Sequence, residues 1–317
     1  MLDSLKKIFL SKVFRLVFSI VLVYIAFLRI DTRELFSGIL GAPGWFVVVM
    51  VGYSSFAVVV GSIRWAFLLL EKPGLKDFLM FTKLNYIGGF YSLFLSSSVG
   101  GDLLKWLPLI KKYPQLTKAR IALSVLIDRI VGLCAFIFLA FAAMVAGKIM
   151  GFVFSDLLFW LFLGLFVTMI IFCMLIYYLD FEKFFGKYVF LKRFLQVVEV
   201  LKNGNKKRLL MAFLISLLGQ PLWIGSVWLI SSVLKVGMSL ISIFVFVPAI
   251  NLILTLPISV GGFGARENLF VYFFSQTGIS AEKILLVSTY SGIIGVLNAL
   301  LGGLMVLFSN LKSEEKK

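Results

Sequence analysis

Several stretches of this chain exceed the roughly 20 apolar residues that a helix needs to cross a bilayer. Inside hydrocarbon a backbone must satisfy its own N–H and C=O groups, which leaves helices or closed barrels. A barrel would show ten-residue segments of alternating hydrophobicity, and none appear. The chain is therefore read as an all-α polytopic integral membrane protein. Composition agrees, since 61% of its 317 residues are hydrophobic, more than a water-soluble domain can cover with polar groups. Six runs have the length of full spans, at about 14–30, 43–70, 119–146, 152–179, 208–234 and 284–309.

Two stretches do not fit a simple span, at about 78–110 and 239–280. Each breaks at the same four residues. Ser98-Val99-Gly100-Gly101 recurs as Ser259-Val260-Gly261-Gly262, and charge follows both copies. Basic residues concentrate in cytoplasmic loops of membrane proteins, which tests how these stretches run. With a cytoplasmic N-terminus and both stretches re-entrant, most of the 31 Lys and Arg fall on the cytoplasmic side. Only Arg29, Arg33, Lys148, Lys235 and Lys283 fall outside, and Arg64, Arg129 and Arg266 lie in or near the membrane. A full crossing at 78–110 would put one of its two basic flanks outside. Three full spans separate the breaks, so the two hairpins enter from opposite faces. That is the arrangement of an inverted repeat, and the expectation is six spans plus two re-entrant hairpins in one transmembrane domain, 1–317. Both termini then lie on the cytoplasmic side of the cell membrane.

The net charge is +16. Because the cations sit in short loops between apolar runs, they are read as orientation signals and contacts to anionic lipid, not to nucleic acid. Residues 180–208 place Phe181, Phe184, Phe185, Tyr188, Leu195 and Val198 at helical spacing among basic residues. This reads as an amphipathic helix on the cytoplasmic surface, or more plainly as a solvated basic loop. There is no histidine, which removes the commonest general base and metal ligand. Cys134 and Cys173 sit inside apolar runs, so no disulfide framework and no metal site is expected. The N-terminus has no cleavage site and reads as an uncleaved first span.

Charge inside a span costs about 2.5–3.5 kcal/mol per residue on insertion scales. The residues concerned are Asp102, Lys105, Asp128, Arg129, Arg266 and Glu267. Arg64, about two turns from its helix end, can snorkel to the headgroups or serve the site, and both readings stay open. Neighbours on a helix point about 100° apart and do not face each other. The expectation is therefore cross-pairing, Asp128 or Asp102 with Arg266 and Glu267 with Arg129, or the same pairs as purely structural staples. Gly100, Gly101, Gly261, Gly262 and Gly264 allow the backbone turns, and the helices that restart there present free N–H groups. With Arg266, Arg129 and Lys105 they form a candidate anion site, with phosphate the best-fitting anion. Asp102, Asp128 and Glu267 are the charge partners. Asn85, Gln220, Asn251 and Asn298 read as interhelical hydrogen-bond partners, and Pro221, Pro248 and Pro257 as kinks or helix ends.

On "SVGGDLLKW" (98–106), "IDRIVGL" (127–133) and "PISVGGFGARENLF" (257–270) the chain resembles the flippase-like transmembrane region of the lysylphosphatidylglycerol synthases. Pro257, Gly261, Gly262, Gly264, Arg266 and Glu267 match the family's most specific motif. Asp128, Arg129, Gly132 and Leu133 match the middle one. In the first, Gly100, Gly101, Asp102 and Lys105 match, with lysine where arginine is usual and Ser96 where proline is common. The resemblance covers roughly 10–310 and implies a lipid translocase fold with re-entrant helices. In the multiple peptide resistance factor a soluble synthase domain follows this region. Here the sequence reaches Lys317 on a "KSEEKK" tail, and the expectation is the translocation part alone.

The reading is a flippase-like transporter for an anionic phospholipid or a polyprenyl-phosphate-linked lipid, with no cofactor and no catalytic constellation. A homo-oligomer or a lipid-synthesis enzyme remains open as protein partner. The alternatives are a membrane glycosyltransferase or lipid transferase, or a non-transporting partner of a lipid-synthesis enzyme.

Overall fold

A computed structural model describes residues 41, 43–94, 105–178, 199, 205–256, 259 and 262–314. These form α1 (Gly44–Leu69), α2 (Leu75–Phe94), α3 (Leu107–Lys112), α4 (Lys118–Ile149), α5 (Asp156–Tyr178), α6 (Lys206–Val233), α7 (Leu240–Leu254), α8 (Ala265–Phe274) and α9 (Ala281–Glu314). No strand occurs among the described residues. Five helices are long and apolar enough to cross a membrane, α1, α4, α5, α6 and α9. They correspond to five of the six predicted spans. The predicted span at 14–30, the first glycine turn with Gly100, Gly101 and Asp102, and the surface helix at 180–208 (apart from Glu199 and Asn205–Arg208) lie outside the described residues.

The helix ends follow local chemistry. The Thr117 hydroxyl accepts from the Arg120 N–H and opens α4. Ser239 accepts from the Ser242 N–H and opens α7. Asn205 accepts from Lys207 and Arg208 ahead of α6. Each satisfies N–H groups that a helix start leaves without a partner. At the end of α4, Gly151 takes φ +73°. The Phe152 N–H then reaches the Gly147 carbonyl and the Gly151 N–H reaches Lys148, the paired bonds of a Schellman stop. This stop makes a turn of Phe152–Ser155, residues the apolar pattern had assigned to a span.

The chain divides into two compact units. The first comprises residues 1–58, 83–105 and 222–317, the second 59–82 and 106–221. In the first, α7 is buried on all sides, from Ser242 and Ile243 through Val245–Ile250. A helix apolar all round is a core helix. Phe246 packs on Phe273 and Phe274 of α8, with ring centroids 5.5 and 5.4 Å apart. Both arms of the 239–280 stretch therefore lie side by side and run in opposite directions.

In the second unit α4 and α5 form a hairpin, and α4 packs on α6 through Ile127, Val131 and Ala212. α5 leaves Leu157, Trp160, Leu161, Val167, Ile171 and Met174 exposed, as a helix facing hydrocarbon does. Lipid tails are as apolar as leucine, so packing one span on another gains little transfer energy. Polar groups and close contacts therefore decide where helices meet.

One such contact closes the stretch 78–110. The Tyr113 hydroxyl donates to Asp77 Oδ1 at 2.5 Å, the Gly74 N–H reaches Oδ2 at 3.0 Å, and Lys112 Nζ lies 3.6 Å from Oδ1. The start and end of the stretch thus meet at one place. The Tyr113 hydrogen bond first, then the Gly74 N–H, hold the Asp77 carboxyl below the usual carboxylate range. A depressed carboxyl contributes stability above its unfolded value of about 3.9 and loses it as pH falls through the folded value. Tyr113→Phe should lower stability at pH 7 by roughly 1 kcal/mol and flatten the loss between pH 5 and 3. Thermal unfolding of both proteins across that range tests this, and equal acid slopes would refute it.

Candidate functional site

The second glycine break is followed by a turn that no other residue type fits well. Gly262 and Gly264 take φ of +80° and +77°, a region that costs other L-residues about 1–2 kcal/mol. The turn aims the first turn of α8 inward. Glu267, its third residue, folds back and accepts from the Gly264 N–H at 2.7 Å through Oε2. Its other oxygen, Oε1, receives Arg266 Nε at 3.1 Å and Nη2 at 2.6 Å. Asn268 Nδ2 ties the turn again at the Gly264 carbonyl, 2.8 Å away. The Arg266 guanidinium lies 5.4 Å from the centre of the Phe263 ring and against Gly292 of α9. A Cβ on Gly292 would stand 2.6 Å from Arg266 Cζ.

Arg266 faces a cavity of about 420 Å³ within the first unit. Its polar lining comes from Asn85, Ser92, Thr255, Ser259, Arg266 and Asn298. Asn298 is fixed from behind. It donates to Ser54 Oγ and to the Ile294 carbonyl, and accepts from Ser55 Oγ at 3.1 Å. Lys105 is buried and donates to Asn85 Oδ1 at 3.2 Å, so its charge stands one residue behind the wall. The cavity joins one guanidinium, one nearby ammonium and several neutral polar groups to an apolar surround.

The second unit holds another buried charge pair. Arg64 Nε and Nη2 grip the two oxygens of Asp128 at 2.7 and 2.9 Å, and Nη1 donates to Ser216 at 3.0 Å. The guanidinium rests on Gly132, where a Cβ would lie 2.9 Å from Nη1. Gln220 Nε2 donates to the Gly132 carbonyl at 3.4 Å.

These pairings correct the sequence reading. Arg266 bonds to its own neighbour Glu267 and Asp128 to Arg64, where the sequence reading paired Asp128 or Asp102 with Arg266 and Glu267 with Arg129; Asp102 lies outside the described residues. The rule that adjacent helical residues diverge holds for side chains that follow the helix. Glu267 does not, because capping Gly264 turns it back across the first turn. Arg64 is a buried bidentate partner, not a snorkelling residue. The N–H groups expected to be free at the start of α8 are partly used: Gly264 gives its own to Glu267 and Arg266 gives its own to the Gly262 carbonyl at 2.9 Å. An anion here meets side chains more than a bare helix end. Arg129 is exposed on α4.

Of the residues singled out from sequence, Gly262, Gly264, Arg266, Glu267 and Lys105 gather at or behind the cavity. Gly261, like Gly100, Gly101 and Asp102, lies outside the described residues. Asn85 and Asn298, read only as interhelical partners, prove to be cavity residues too. Gly292 went unread, although its place in a Ser-Gly-x-x-Gly run of an apolar helix marks a close-packing face.

The family described as "Lysylphosphatidylglycerol synthase TM region" matches residues 12–303. This chain belongs to that family. As a member of it the chain is a membrane protein of a family connected with lipid handling, and its Gly-x-Gly-Ala-Arg-Glu segment is the one that builds the turn and first helical turn beside the cavity. No curated protein and no solved structure matches the chain.

Proposed function

We propose that this protein moves an anionic lipid between leaflets, with the cavity of the first unit holding the phosphate of the headgroup. The observation that carries the reading is the Arg266 guanidinium facing a 420 Å³ cavity among apolar helices. That volume lies in the range of small-molecule sites. Arginine suits phosphate through its planar fork, and Asn85 and Ser259 add neutral polar groups to the lining. Lys105 adds positive potential through Asn85. Glu267 orients Arg266 and competes with the headgroup for it, which keeps binding weak enough for release. The cargo class is an anionic phospholipid or a polyprenyl phosphate. The reading is of a transporter and not an enzyme, in the cell membrane with both termini cytoplasmic.

The test uses proteoliposomes carrying a short-chain fluorescent phosphatidylglycerol, with inward and outward pools separated by a membrane-impermeant quencher. Arg266→Gln with Glu267→Gln removes the pair without stranding a charge. Losing a charge-assisted contact worth about 1.5–3 kcal/mol should slow translocation roughly tenfold or more, with thermal stability near wild type. Gly292→Ala keeps the charge but displaces the guanidinium and should slow transport as well. Wild-type rates in both folded variants would sink the reading.

A further inference from the structure

Two thiols in the second unit are left without a role by this reading. α4 and α5 run antiparallel, and Phe141 stacks on Phe166 with centroids 4.7 Å apart and planes 17° from parallel. Cys134 lies seven residues before Phe141, and Cys173 seven after Phe166. Seven residues are nearly two helical turns, so the same two faces meet again at the cysteines. The two thiols lie close enough there to interact. At 1.5 Å per residue, Cys134 stands about 22 Å from the loop end of α4 and Cys173 about 25 Å from that of α5. The two sulfurs thus lie at about the same level along the hairpin. Cys173 is exposed and Cys134 only partly so.

We propose that Cys134 and Cys173 form an oxidisable dithiol, a modification site at which organic hydroperoxides in the bilayer close a disulfide between α4 and α5. The exposed Cys173 sulfur attacks the terminal peroxide oxygen. An S–O bond forms, the O–O bond breaks, and the remainder leaves as an alcohol. Cys134 then attacks the sulfenic sulfur, forming S–S and releasing water. The peroxide is reduced by two electrons, and the two thiols give up two hydrogens. The bond would tie the middle of α4 to the last third of α5, away from the loop that joins them.

The test uses the full chain in nanodiscs treated with cumene hydroperoxide, then denatured and labelled with a polyethylene-glycol maleimide. Wild type should lose both labels, weigh less by two hydrogens, and recover both labels with dithiothreitol. Cys134→Ser should form no disulfide within the chain and should leave Cys173 reactive to a sulfenic-acid probe. The proposal is overturned if wild type keeps both labels. It also fails if label loss resists dithiothreitol, or if it comes from a bond between chains that Cys134→Ser forms equally.

Discussion

Arg64→Ala should destabilise the protein by about 3–5 kcal/mol, because it leaves the Asp128 carboxylate buried without a partner. The pair is well shielded, with side-chain exposure of 15% for Arg64 and 7% for Asp128. Both guanidinium edges are engaged, by Asp128 and Ser216, and Gly132 leaves no room for water beneath. Asp128→Ala should cost a similar amount for the opposite reason. Replacing both, as Arg64→Met with Asp128→Leu, should recover most of the loss, since an apolar pair carries no desolvation cost. Denaturant unfolding in mixed micelles measures all four proteins. Single variants within about 1 kcal/mol of wild type would mean that the pair behaves as an exposed one, and the account of this unit would be wrong.

The spans were legible because hydrocarbon allows few alternatives. A run such as 43–70 has no way to satisfy its backbone except as a helix, and α1 occupies Gly44–Leu69. The boundary at 152 slipped to 156 because Gly151 stops α4 by backbone geometry, which the apolar content of Phe152 and Phe154 conceals. Charge was legible as a location and not as a pairing. Arg266 and Glu267 were placed at the site, yet their bond depends on Glu267 turning back to cap Gly264, a first-turn effect. Arg64 and Asp128 are 64 positions apart on different helices, and nothing in either local segment names the other. The cavity polar groups were the least legible, since an Asn in a span looks alike whether it ties helices, as Asn298 does, or also lines a cavity.

The wall of that cavity depends on how closely α2 approaches α9, and Gly302→Ala should show it. A Cβ on Gly302 would stand 2.5 Å from the Tyr86 carbonyl carbon and 3.1 Å from the Ile87 nitrogen. These are backbone atoms of α2, which no rotamer change can move. The helices must part, and overpacking of this kind costs about 1–3 kcal/mol. Gly303 compounds the strain, since its neighbour is the Phe90 ring. A control is Gly164→Ala on α5, where nothing lies within 4 Å of the new methyl and helix propensity favours alanine by up to about 1 kcal/mol. Thermal unfolding should separate the two substitutions in opposite directions. Because Asn85, Tyr86 and Gly89 of α2 and Val296, Asn298 and Ala299 of α9 all line the cavity, parting the helices also widens it and draws Asn85 away from Asn298. Gly302→Ala should therefore slow lipid movement even at temperatures where it is fully folded. Should the folded variant transport normally, the cavity wall would not need this close approach, and the headgroup would have to be held by Arg266 and the glycine turn without α2.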